Sequence, residues 1–213
     1  MYCKLYFLLF SPKPEVIIEA FHEKLIREVF DPVGDEWQRE TSETLGLMYK
    51  KEIRYDQEKL GQLLECGVPA KLIKVKADGN CLFRCMSLVV TGSEAWHARM
   101  RTIICEFMLQ HCSDWINPHL PLNVMLDAYV ESKRYPSSDP KCWGSDVECM
   151  AFAKMLKVRL LVYSRNNRLW QLHNGLPDGE RGEGIYLYFT GDHYDVIISP
   201  STGYVRMCEF LLC

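Results

Sequence analysis

The sequence predicts an α+β fold, and three observations carry that prediction. Apolar residues recur at helical spacing in several segments up to Leu156. The period then shortens, and four short apolar runs rich in β-branched and aromatic residues follow. Two Ser/Thr-x-x-Glu boxes stand where helices should begin. Helices followed by strands that close on one another point to a small central sheet flanked by helices. With 213 residues, the chain holds one larger domain or one domain plus an extension.

The first helix is read over 15–30, with Ile18, Phe21, Leu25 and Val29 on one stripe. Asp31-Pro32-Val33-Gly34 stops it. Residues 41–66 are polar and helix-prone, with Leu60, Leu63 and Leu64 on one face and Gly67 as the stop. Residues 1–66 are thus expected to form a helical N-terminal extension. The texture changes at Pro69, and 67–200 is expected to be the main domain, with 201–213 a C-terminal tail.

Within 67–200, Leu72 to Val75 is a short strand, followed by the turn-like run Ala77-Asp78-Gly79-Asn80. Cys81 to Val90 is an apolar helix. Thr91 to Glu94 fits a capping box ahead of Trp96, Met100, Ile103 and Phe107 at helical spacing. A short helix is read over 121–131 and a loop over 136–140. Ser145-Asp146-Val147-Glu148 is the second capping box and opens a helix to about Leu156. Val158–Tyr163, Arg168–Leu172, Ile185–Phe189 and Tyr194–Ile198 are the four strands, with a hairpin turn at Asn166-Asn167.

Composition excludes several classes. Apolar residues are 48% and charged residues 25%, the balance of a globular protein. The net charge of -3 gives no basic patch for nucleic acid or anionic membrane. The most apolar stretch, Met1 to Phe10, is closed by Pro12 and Pro14, well short of the roughly 20 residues of a membrane span. Its single Lys4 and lack of a small-residue cleavage site make a poor signal peptide. Ten cysteines occur, with no C-x-x-C pair, so neither a zinc site nor a disulfide framework is expected. Most read as small buried hydrophobes in a reducing, cytoplasmic or nuclear compartment.

Cys81 differs from the rest by its context. It follows a Gly-containing turn and opens a helix, where free N–H groups and partial positive charge favour a thiolate. The same groups could meet an oxyanion. In the last strand, His193 and Asp195 lie two apart and so share a face, and a carboxylate there would fix the imidazole's tautomer. Alone, each half is an ordinary feature of a core helix or a strand end.

Three blocks occur in order: Asp78-Gly79-Asn80-Cys81-Leu82-Phe83-Arg84, Trp143-Gly144-Ser145-Asp146-Val147-Glu148 and Gly191-Asp192-His193-Tyr194-Asp195. They resemble the signature blocks of the ovarian-tumour (OTU) family of cysteine deubiquitinases, over about residues 69–200. The resemblance implies a papain-like α+β fold and a thiol mechanism without a cofactor or metal. It makes Cys81 the nucleophile, His193 the general base and acid, and Asp195 the residue that orients His193. Asp78 belongs to the active-site loop, and the main-chain N–H groups of Asp78, Gly79, Asn80 and Cys81 are the oxyanion donors. The implied substrate is a conjugate of ubiquitin or a ubiquitin-like protein, cleaved after its terminal glycine by a monomer that binds neither nucleic acid nor membrane. The alternative is a ubiquitin-binding module with weak or lost catalysis. Arg84 is expected on a helix surface, Cys85 in the core, and Glu148 as a capping residue.

Overall fold

The structure, a computed structural model, describes residues 28–62, 64, 67–111, 124–135, 139–177 and 180–201. Its centre is one five-stranded sheet. The strands are β1 (Pro69–Ile73), β2 (Arg159–Ser164), β3 (Leu169–Asn174), β4 (Gly184–Phe189) and β5 (Tyr194–Pro200), in the order β1-β5-β4-β2-β3. Only the β2–β4 pair is parallel. The four expected C-terminal strands are thus present within a residue or two. The hairpin turn lies over 165–168.

Among the described residues the helices are α1 (Asp35–Thr44), α2 (Cys81–Thr91), α3 (His97–Gln110), α4 (Leu126–Arg134) and α5 (Asp146–Leu156). Alternate residues of each strand enter two different cores. Leu160, Val162, Ile185, Leu187 and Val196 pack against α2, α3 and α5. Leu161, Tyr163, Tyr186 and Ile197 face the other way, where Phe30 and Leu64 cover them. Each such buried side chain contributes about 1.5–3 kcal/mol. A sheet covered on both faces explains why β2 reads as the unbroken apolar run Leu160-Leu161-Val162-Tyr163 rather than as alternation.

That second face corrects the reading of residues 1–66 as a helical extension. Residues 1–27 lie outside the described residues, as does the body of the helix expected over 15–30. Glu28 to Phe30 is extended and pairs with the 61–64 segment through Phe30 N–H to Gln62 O and Leu64 N–H to Glu28 O. Pro32 bridges Gly184 of β4. Among the described residues of 41–66, only the end of α1 and one 3-10 turn, Gln57–Lys59, are helical. Of the leucines taken for a helical stripe, Leu64 instead covers the aromatic face of β2 and β4, Leu60 is exposed, and Leu63 lies outside the described residues. α1 also acts as a cap: Gln38 Nε2 donates to Val89 O and Ser42 Oγ to Val90 O, meeting carbonyls that α2 leaves unpaired at its end.

Smaller corrections follow from hydrogen bonding. The first strand ends at Ile73, so Lys74 and Val75 lie beyond it. The Thr91–Glu94 box does not cap α3. Ser93 caps a 3-10 turn over Glu94–Trp96, and Glu94 accepts from Lys76 N–H and Arg84. The buried stripe of α3 runs through Met100, Ile104 and Met108 rather than through Ile103 and Phe107. The helix read over 121–131 is α4, whose start lies later. The 136–138 part of the expected loop and the tail beyond Ser201 lie outside the described residues. The second capping box is present in full at Ser145 and Glu148.

Candidate active site

Cys81 is the first residue of α2 and is nearly buried, at 7% exposure. No side chain caps this helix start. Gly79 holds φ 77°, a left-handed conformation that suits glycine and turns the chain into α2. The thiol opens onto a cleft of about 290 Å³. Trp143, Gly144 and Ser145 form one wall, and Phe189, Asp192 and Tyr194 the other.

Burial raises the Cys81 thiol above its ordinary range. The main-chain N–H groups of Tyr194, Leu82 and Cys81 point at the sulfur and act in the opposite direction, but burial prevails. Burial therefore opposes the thiolate that the helix start favours. Cys85, one turn on, is fully buried and its thiol is pushed well up by the same cause.

His193 and Asp195 do come together. His193 Nε2 lies 3.2 Å from Asp195 Oδ1. The flanking residues of His193, Asp192 and Tyr194, line the Cys81 cleft, and Tyr194 N–H is directed at the thiol. Asp195 is completely buried. Its Oδ1 also accepts from Val75 N–H at 3.2 Å, and its Oδ2 accepts from Lys74 Nζ at 2.7 Å. Two of its partners thus come from beyond β1, where the sequence offered no signal. Only the antiparallel register could have disclosed them.

Asp78 has a different place. Arg84 grips its carboxylate with Nε at 3.1 Å and Nη2 at 2.6 Å, a bidentate pair. The Arg84 guanidinium and the hydrogen bonds from Asn80 hold the Asp78 carboxyl far below the usual range. Arg84 is therefore not a free surface arginine: its side chain is 12% exposed and closes the turn onto α2. Asn80 N–H already donates to Asp78 Oδ1. The Asn80 amide is thus engaged, whereas the Leu82 amide, outside the expected donor set, acts on the Cys81 sulfur.

Two buried cations hold the walls of the cleft, and neither was singled out in the sequence. Arg101, with no exposed surface, donates to Asn80 Oδ1 at 2.8 Å, Gly79 O at 3.4 Å, Lys133 O at 2.7 Å and Cys142 O at 2.8 Å. Its guanidinium stacks 3.9 Å from the Phe83 ring centroid. Lys133 Nζ donates to Lys141 O at 2.8 Å and Trp143 O at 2.5 Å. Glu148 is wholly buried and accepts from Ser145 N–H at 2.7 Å, as its capping role requires. Gly144 is packed against α2: a Cβ there would sit 2.5 Å from Leu82 Cδ2. Among the described residues, no cluster of three or more His, Cys, Asp or Glu side chains could hold a metal. Nor is any helix among them long and apolar enough to cross a membrane.

Comparison with known proteins gives a consistent picture. Residues 72–172 match the family model described as Vertnin, OTU domain. That match includes Cys81 and ends before His193. Over 127 residues the chain is 28% identical to OTU domain-containing protein 3 of Mus musculus, covering 60% of this chain and 31% of that protein. Over 130 residues it is 25% identical to OVARIAN TUMOR DOMAIN-containing deubiquitinating enzyme 7 of Arabidopsis thaliana, covering 61% and 33%. The chain spans about a third of the length of these relatives. The solved structure of the OTUD1 OTU domain is similar in fold, with a TM-score of 0.50 at 22% identity, covering 59% of this chain and 83% of that one.

Proposed function

From the match of residues 72–172 to an OTU-domain family model, we propose that the chain carries an ovarian-tumour (OTU) domain and is a cysteine-type deubiquitinase. The reaction is hydrolysis of the peptide or isopeptide bond after the terminal glycine of ubiquitin or a ubiquitin-like protein. The observation that carries the reading is the His193–Asp195 contact at 3.2 Å, whose flanking residues line the Cys81 cleft.

In this reading Cys81 Sγ attacks the scissile carbonyl carbon, and its proton passes to His193. His193 meets Asp195 through Nε2, which leaves Nδ1 for the thiol proton. The oxyanion is received by the Cys81 and Leu82 N–H groups at the start of α2. The C–N bond then breaks, and His193 gives its proton to the departing amine. Water attacks the thioester with His193 as base, the carboxylate leaves, and Cys81 regains its proton. Asp195 orients His193 throughout, while Asp78 shapes the loop through Arg84. The reaction needs no cofactor, and a reducing compartment keeps the thiol free.

One observation favours a second reading, a ubiquitin-binding module with weak catalysis: burial makes the Cys81 thiol hard to ionise. A ubiquitin probe with a C-terminal electrophile separates the two. The enzyme reading expects a covalent adduct at Cys81 that Cys81→Ala abolishes. Ubiquitin binding without an adduct would select the module, and neither result would remove ubiquitin as the partner.

A further inference from the structure

We propose that Lys74 is a positioning residue of this site: its ammonium fixes one oxygen of Asp195 so that the other faces His193. The proposal rests on the catalytic reading of His193 given above. It begins with the register of the sheet. Ile73 is paired with Val196 across β1 and β5, so the next antiparallel step sets Lys74 opposite Asp195. Lys74 Nζ lies 2.7 Å from Asp195 Oδ2.

The Asp195 carboxylate has no exposure, and a buried carboxylate needs its oxygens met. Oδ1 serves both His193 Nε2 and Val75 N–H, each at 3.2 Å. Oδ2 is held by Lys74. Val75 N–H and His193 share one oxygen and Lys74 holds the other, so the ammonium adds the second point that fixes the carboxylate's rotation. Its own side chain is 69% exposed, so it reaches the buried anion from the surface.

The other ionisable groups around Asp195 and His193 are Tyr188 of β4, in register with Asp195, Cys81 and Cys85 of α2, and Asp192 in the turn before β5. Lys74 is the cation of this set, and its ammonium also lies 5.9 Å from the Tyr188 ring centroid.

The experiment compares wild type, Lys74→Met and Lys74→Arg with a fluorogenic ubiquitin substrate at neutral pH, well below each thermal midpoint, and follows the His193 ring resonances by NMR. For Lys74→Met we expect kcat about tenfold lower with KM little changed, a typical positioning loss, together with displaced or broadened His193 ring resonances. The midpoint of Lys74→Met should fall, because Oδ2 of the buried Asp195 loses its partner. Lys74→Arg should restore the midpoint, the ring resonances and most of kcat. If folded Lys74→Met keeps wild-type kcat and ring resonances, or if Lys74→Arg loses as much kcat as Lys74→Met, the proposal is overturned. Absence of turnover in the wild type would remove the enzyme reading instead, and the ring resonances would still decide whether Lys74 positions His193.

Discussion

Replacing Arg101 with methionine should unfasten the cleft from beneath. The guanidinium joins three segments: the Gly79–Asn80 turn, the end of α4 at Lys133, and the wall at Cys142. Three of its four bonds are 2.8 Å or shorter. Methionine keeps much of the apolar stem against Phe83 but leaves three carbonyls and the Asn80 side chain without their donor. Buried acceptors left unpaired after loss of a charged partner cost about 3–5 kcal/mol in total. That is a large part of the roughly 5–15 kcal/mol that holds a domain together. With a urea slope of about 2 kcal/mol/M, the unfolding midpoint should fall by ~2 M. The probe reaction at Cys81 should also slow under conditions where the variant is folded, because the turn that carries the nucleophile is no longer tied. A midpoint shift under ~0.5 M would refute the reasoning, since it would mean that water or neighbouring donors replace the guanidinium at little cost.

Two further outcomes follow from packing and ionisation. Gly144→Ala should lower stability by about 1–3 kcal/mol in chemical denaturation. The added methyl meets Leu82 at 2.5 Å for Cδ2 and 3.2 Å for Cβ and Cγ, and the push falls on the residue next to Cys81, so probe labelling should slow as well. Unchanged stability and labelling would show that Leu82 moves aside freely. In alkali, the buried thiols should weaken the fold. Burial raises Cys81, Cys85 and Cys149, and lifts Cys105 to about 11. The unfolded chain releases these protons near pH 9, before the folded chain does, so stability is full below that pH and falls as pH rises. Cys105 alone accounts for roughly 2–3 kcal/mol by pH 11. Denaturation midpoints between pH 8 and 11 test this, and Cys105→Ala should flatten the decline; a flat wild-type profile would contradict it.

The sequence discloses the parts of this protein that depend on local rules. The capping box at Ser145, the helix that begins at Cys81 and the β-rich runs at the C-terminus follow from periodicity and capping, which act over a few residues. His193 and Asp195 meet as strand alternation predicts, because they are two residues apart. What the sequence hides is long-range. Phe30 and Leu64 cover a sheet face built from residues far later in the chain, and nothing in their local pattern announces it. Leu60 and Leu64 satisfy helical spacing by coincidence; tertiary cover overrides propensity at Leu64, while Leu60 stays exposed. Arg101 reads as one more charged residue on an amphipathic helix, yet its acceptors come from turns on either side of it in sequence. Lys74 reads as the end of a strand. Its role depends on a register that only the assembled sheet defines.

The location of Cys81 joins two opposed demands. A helix start offers N–H groups that stabilise negative charge, and three main-chain N–H groups converge on the sulfur. The same residue is packed into the apolar core with Phe83, Cys85 and Met86 behind it, and burial outweighs those donors. In the proposed reaction the donors therefore have little thiolate to stabilise at rest. They become effective when the proton leaves for His193 and the charge moves on to the carbonyl oxygen. The cost of ionising a buried thiol is then met within the chemical step by groups already in place. Under that arrangement the tethering of the 78–82 turn by Arg84 and Arg101, and of the His193 carboxylate partner by Lys74, keeps those groups where the proposed step needs them.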